Sequence, residues 1–160
     1  MGGDRNLASH TGMRRTRILL VDDNKGIRET LREIIEENPA WKICGEAAEG
    51  RSALQLTRKL RPDMIVLDYH MPEMDGVEAA RRILEFAPEI PILFFTAEIS
   101  RSVVRDVLKL GVRGVIIKGG GGYLELLEWI EKLSPTRVPL VARKKASTKR
   151  PQRLRSRSLR

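Results

Sequence analysis

Three features of this 160-residue chain predict a doubly wound α/β fold, a five-stranded parallel sheet with helices on both faces. Short, continuous apolar runs rich in branched residues recur along it, the pattern of strands buried on both faces. Between them lie segments whose apolar residues return at spacings of three and four, the pattern of helices with one inward face. The connections are short, and right-handed crossovers then require parallel strands with a helix between each pair.

Met1 to Thr16 is polar, contains glycine and lacks periodicity, and reads as a disordered arm. Arg17-Ile18-Leu19-Leu20-Val21 is the first strand, stopped by Asp22-Asp23-Asn24. The first helix carries Ile27, Leu31, Ile34 and Ile35 on one face, and Asn38-Pro39 closes it, because the residue before proline avoids the helical region. Trp41 to Ala47 alternates and ranks as a weaker, edge-like strand. Ser52 to Leu60 is the second helix, with Ala53, Leu56 and Leu60 inward and Arg61-Pro62 at its end. Asp63 to Leu67 is the third strand, followed at once by Asp68.

Val77, Ala80, Ile83 and Leu84 mark the third helix, which ends at Ala87-Pro88. Pro91 to Thr96 is the fourth strand, with proline tolerated at its first position. Val103, Val104, Val107 and Leu108 line the fourth helix, and Gly111 caps it. Gly114 to Lys118 is the fifth strand, and Leu124, Leu127, Ile130 and Leu133 form the inward face of the fifth helix. Gly119 to Gly122 matches neither common phosphate-binding glycine motif and reads as a flexible loop. The weak second strand fits an edge, which selects the order 2-1-3-4-5, the flavodoxin-like (βα)5 arrangement.

The net charge of +9 belongs to one end of the chain. Ser134 to Arg160 holds ten Lys or Arg residues and no acid, which leaves 20 basic against 21 acidic residues before it. Residues 17–133 are therefore expected to be one nearly neutral domain, and residues 134–160 a basic tail too poor in apolar residues to order itself. Cys44 is the single cysteine, so no internal disulfide forms, and it reads as a small buried residue in a reducing compartment. No apolar run approaches the roughly 18 residues of a membrane span, and the N-terminus lacks the apolar core of a signal peptide. The expectation is a soluble, cytoplasmic protein without a membrane partner.

The chemistry-bearing residues stand at strand ends. The first strand ends in Asp22-Asp23, the third in Asp68, the fourth in Thr96 and the fifth in Lys118. In the order 2-1-3-4-5 the first and third strands are neighbours at the topological switch point, where ligands bind in open α/β sheets. Three carboxylates then meet in one cleft, repel one another and resist ionisation. A hard divalent cation removes that penalty, and Mg2+ suits one or two carboxylates with several waters. No His or Cys cluster points to a softer metal. Each residue alone has a plainer reading: Asp22-Asp23-Asn24 as a helix cap, Thr96 as a cap before Ser100, Lys118 as a solvated lysine, His70 as a loop residue.

The segment from Asp68 to Gly76 reads D-x-x-M-P-x-x-D-G after its apolar run. With the other strand-end residues it closely resembles the phosphoacceptor segment of two-component response-regulator receiver domains, and the resemblance extends from about Arg17 to Leu133. It implies that Asp68 accepts a phosphoryl group from a sensor histidine kinase or phosphotransfer protein. It implies Mg2+ held by Asp23 directly, by Asp68, by Asp22 (often through water) and by the backbone carbonyl of His70. Lys118 would pair with the phosphoryl oxygens and Thr96 would hydrogen-bond them. The implied activity is in-line phosphoryl transfer onto the domain itself, with no independent substrate turned over and so no enzyme in the ordinary sense. A homodimer through the fourth helix, fifth strand and fifth helix is also compatible with it.

Two departures stand out. Gly119 follows the lysine where many receivers carry a proline after a cis bond, and Val115 stands where many carry Tyr or Phe. Leu110 to Gly119 is closest to the subfamily usually joined to a LuxR-type helix-turn-helix domain, yet only the basic tail follows Leu133 and it cannot form one. A different class of function stays open: a nucleic-acid or polyanion binder that uses the receiver fold as scaffold and the tail for contact, through counterion release. The tail lacks aromatic residues for base stacking and any binding motif, so a solvated remnant left where an output domain is missing is the plainer reading of it. The cluster of acids favours signalling, since a scaffold has no need of it.

Overall fold

The computed structural model describes residues 14–135, in which strands and helices alternate strictly. In chain order they are β1 (Thr16–Val21), α1 (Lys25–Glu36), β2 (Trp41–Ala47), α2 (Gly50–Leu60), β3 (Met64–Leu67), α3 (Gly76–Phe86), β4 (Ile92–Thr96), α4 (Arg101–Leu110), β5 (Gly114–Ile117) and α5 (Gly122–Leu133). All pairings are parallel and the order is β2-β1-β3-β4-β5, as the alternating pattern predicts. The bulk of the expected N-terminal arm and of the basic tail lies outside the described residues. Among the described residues no helix is long and apolar enough to cross a membrane.

The continuous apolar runs serve two cores at once, because successive strand residues face opposite sides. Ile18 and Leu20 of β1 join Leu31 and Ile35 of α1 and Leu126 and Ile130 of α5. Leu19 and Val21 face the other way, against Ala53 of α2, Ile83 of α3 and Val107 of α4. β3 and β4 are buried along their whole length, and each such Leu, Ile or Phe contributes about 1.5–3 kcal/mol by leaving water.

The edge strand β2 is tied down by side chains from α1. Its register with β1 slips between Ile18, opposite Ile43, and Leu19, opposite Gly45, leaving Cys44 as the extra residue. The Ile43 N–H donates to Glu36 Oε1 at 2.9 Å. Arg28 and Arg32 both grip Glu46, at 3.2 and 2.7 Å. Burial pushes the Glu46 carboxyl up, but the hydrogen bonds from Arg32 and Arg28 outweigh it and hold it below its ordinary value.

Several details differ from the sequence reading, each for a local reason. Thr16 opens β1 instead of closing the arm, and its N–H donates to Ala40 O at 2.8 Å. α2 begins at Gly50, not Ser52, while Pro91 precedes β4 and Lys118 follows β5. Gly122 is the first residue of α5 and not part of a loop, and a Cβ there would fall against the Ile117 carbonyl oxygen. Cys44 is half-buried because it sits at the bulge. Leu108 and Leu124, expected inward, are 46% and 70% exposed. Leu126 takes the buried place in α5.

Candidate functional site

Val21 of β1 lies opposite Leu67 of β3, so the next residues, Asp22 and Asp68, leave the sheet side by side. Carboxylate oxygens of Asp22, Asp23 and Asp68 all lie within 4.8 Å of one another. Asp22 and Asp68 are only 3% and 5% exposed, whereas Asp23 is open to solvent. This is the convergence that the strand order predicts.

Local hydrogen bonds aim each acid. Asp22 Oδ1 accepts from the Asn24 N–H at 2.8 Å, while Asn24 itself caps α1 by accepting from the Ile27 N–H at 3.1 Å. Capping is therefore the work of Asn24, and neither aspartate is spent on it. The Asp68 N–H donates to Val21 O at 2.8 Å, and its Oδ1 accepts from the Tyr69 N–H at 2.8 Å. The loop after it folds back so closely that the Gly76 N–H donates to Tyr69 O at 2.9 Å. A Cβ at Gly76 would fall against Asp68 O and sit 2.7 Å from the Phe94 ring, so only glycine permits that return. Asp75 then caps α3 through the Glu78 N–H at 2.9 Å. The paired Asp-Gly of the motif thus has a physical reason.

Among the described residues Lys118 is the only cation that pairs with these carboxylates; Arg28 reaches no closer than the Asp22 backbone carbonyl, to which its Nη1 donates at 2.7 Å. The Lys118 Nζ lies 2.5 Å from Asp22 Oδ2 and 3.4 Å from Asp68 Oδ1, with the side chain 14% exposed. The Lys118 N–H donates to Thr96 O at 2.8 Å, which fixes where the side chain starts. Burial pushes the Asp22 carboxyl above its ordinary value; the Lys118 hydrogen bond and the Asn24 N–H oppose this without cancelling it. Nothing in the sequence signals the Lys118–Asp22 contact, which spans 96 positions.

Thr96 is buried at the end of β4, and its hydroxyl donates to Glu98 O at 3.2 Å. It does not cap α4; Ser100 does, accepting from the Val103 N–H at 3.3 Å. His70 is exposed, its ring edge-on to Tyr69 at 4.5 Å. With Asp23 it lines a cleft of about 390 Å³ beside the acids, so the structure brings all six predicted residues to one end of the sheet. Three carboxylates and one ammonium leave a net charge of −2. Hard oxygen donors of that charge suit a divalent cation such as Mg2+.

The family model for the response regulator receiver domain matches residues 18–131. Protein CcdB of Bacillus subtilis (strain 168) is 42% identical over 103 residues, covering 64% of this chain and 85% of CcdB. A protein-glutamate methylesterase/protein-glutamine glutaminase of Alkalilimnicola ehrlichii is 43% identical over 83 residues, 52% of this chain but only 21% of that protein. A solved two-component response regulator of the LuxR family, from Aurantimonas sp. SI85-9A1, superposes with a TM-score of 0.70 at 30% identity. That alignment covers 82% of this chain and 98% of the solved one. Since the matched span runs from within β1 to within α5 and takes in every strand end that carries an acid, the chain belongs to the response regulator receiver domain family of two-component systems.

Proposed function

We propose that this chain is the Mg2+-dependent phosphoacceptor of a two-component pathway, with Asp68 receiving the phosphoryl group of a sensor histidine kinase or phosphotransfer protein. The observation that carries this reading is the placement of Asp68: nearly buried, with two further carboxylates within 4.8 Å and an ammonium at 3.4 Å. Asp68 Oδ1 is engaged by Tyr69 and Lys118, which leaves Oδ2 as the attacking oxygen. In-line attack forms the bond from Oδ2 to phosphorus as the bond to the donor breaks, and the work of the site is positioning and charge neutralisation.

Asp22, Asp23, Asp68 and the backbone carbonyl of His70 would hold Mg2+, which would supply positive charge at the transferring oxygens. Lys118 would move from Asp22 toward those oxygens, and the Thr96 hydroxyl would exchange Glu98 O for one of them. Val115 cannot bury a ring beside that threonine, so little free energy separates two states of the α4–β5 face. Phosphorylation is expected to shift Thr96 and its loop more than α4. Exposed Leu108 of α4, Ile117 of β5 and Leu124 of α5 offer an apolar contact for a second copy or a downstream protein.

Intact mass after incubation with acetyl phosphate and Mg2+ tests the assignment. Wild type should gain one phosphoryl group and Asp68→Asn none. An equal gain in both removes Asp68 from its role.

A further inference from the structure

A cavity of about 770 Å³ opens at the end of the sheet opposite the acidic cleft. It lies where α2 and α3 end and where the chain enters β3, β4 and β5. Asp63 and Asp68 bracket β3, so the two sites are separated by the length of that strand, about 16 Å at 3.3 Å per residue.

Its charge is set by arginine. Arg58, Arg61 and Arg113 line it, against Asp63 and Glu89. Asp63 is already satisfied, paired with Arg14 at 2.6 Å and accepting from the Arg17 N–H at 2.8 Å. Among the described residues the side chains of Arg61 and Arg113 have neither an ion pair nor a hydrogen bond. The Arg58 guanidinium carbon sits over the Phe86 ring, 4.3 Å from its centroid, a cation–π contact that engages the face of the ring and not the guanidinium N–H donors.

Arg61 also holds a backbone conformation that side chains disfavour, φ 46°, where glycine is the usual occupant. The carbonyls on either side of that turn do not require it to be arginine: Arg17 Nη1 binds Leu60 O at 2.7 Å and Arg61 O at 3.3 Å. Beside these cations Phe86, Ile90 and Pro91 give an apolar wall. Mixed apolar walls with a few convergent polar groups, in a volume of this order, are the usual form of a small-molecule site.

We propose that this cavity binds a small phosphorylated ligand carrying a flat ring, of the nucleotide class. The planar guanidinium forks of Arg61 and Arg113 match phosphate oxygens two at a time, and the ring packs against the Phe86 and Pro91 wall. This site is independent of the acidic cleft and of the chemistry proposed there.

The probe is ATP in EDTA, titrated into the full chain labelled with 15N. Amide shifts should change around Arg58, Arg61, Phe86 and Arg113 and stay constant around Asp22 and Asp68. Tripolyphosphate should bind at least about tenfold more weakly, the loss of about 1.4 kcal/mol of ring contact. Arg61→Gly, which suits the left-handed backbone and keeps the fold, and Arg113→Gln should each weaken ATP at least about tenfold. Shifts confined to residues 136–160, unchanged affinity in both variants, or equal binding of tripolyphosphate and ATP would each overturn the proposal. ATP binding is read without Mg2+ and Asp68 modification without ATP, so the two assignments fail separately.

Discussion

Lys118→Met removes the ammonium between Asp22 and Asp68 while keeping much of its apolar stem. The cluster then changes from −2 to −3, since three carboxylates lose their single cation. Removing one partner of a buried pair costs about 3–5 kcal/mol, because the charge left behind is uncompensated. Lys118 keeps some exposure and Asp23 faces water, which places the expected loss at the lower end, about 3 kcal/mol at pH 7 in EDTA. The pH dependence has a definite sign. Burial already holds Asp22 above its ordinary value and the Lys118 hydrogen bond opposes this, so the variant raises it further. A carboxyl raised in the folded state binds its proton more tightly there than in the unfolded chain, and its contribution to stability falls as pH rises through the folded value. Acidification from pH 7 toward the usual carboxylate range should therefore narrow the deficit. Mg2+ should narrow it too: without Lys118 to displace, the ion binds more tightly, and the gain grows as RT ln(1 + [Mg2+]/Kd). Urea denaturation followed by the fluorescence of Trp41 and Trp129 reads all three conditions. A deficit under about 1 kcal/mol in EDTA, or one that widens with acid or Mg2+, would refute this account of the cleft.

Gly76→Ala should cost about 3 kcal/mol, since its Cβ would collide with the Asp68 backbone carbonyl; an unchanged urea midpoint would mean the loop has room to move. Asp75→Ala removes the α3 cap and should lower stability by about 1 kcal/mol in the same assay. Leu31→Ala should lose about 2–5 kcal/mol from the core, whereas Leu124→Ala should stay within about 0.5 kcal/mol of wild type. The reverse ranking would show that α5 packs by its other face.

Most of the fold is legible in the chain because parallel strands buried on both faces leave a strong signature: Leu19 and Leu20 serve different cores, yet both must be apolar. Helix faces are less legible. α5 reads GYLELLEWIEKL, with apolar residues on more than one side, so periodicity alone does not separate exposed Leu124 from buried Leu126. Leu108 fits the α4 stripe but stays half open, as do other residues around the short edge strand β5. At the acidic cleft the positions of Asp22, Asp23 and Asp68 follow from strand order. The ammonium on Asp22 follows only from side-chain packing across the sheet, whereas the caps at Asn24 and Ser100 are local contacts three residues apart. The arginine cavity gave no local signal at all, since its residues come from four separate stretches that meet only in three dimensions.

The carboxylate of Glu36 on the Ile43 N–H matters beyond one hydrogen bond. An open sheet leaves a row of unpaired backbone groups at each rim, a template on which a stray extended chain can add itself. Here one rim donor is already occupied by the sheet's own helix, the bulge at Cys44 breaks the spacing of the rest, and the Glu46 clamp sets charge beside them. The far rim, β5, spans only four residues. Such a sheet ends where its own strands end, and a receiver that must meet partners through side chains is protected from meeting them through its backbone.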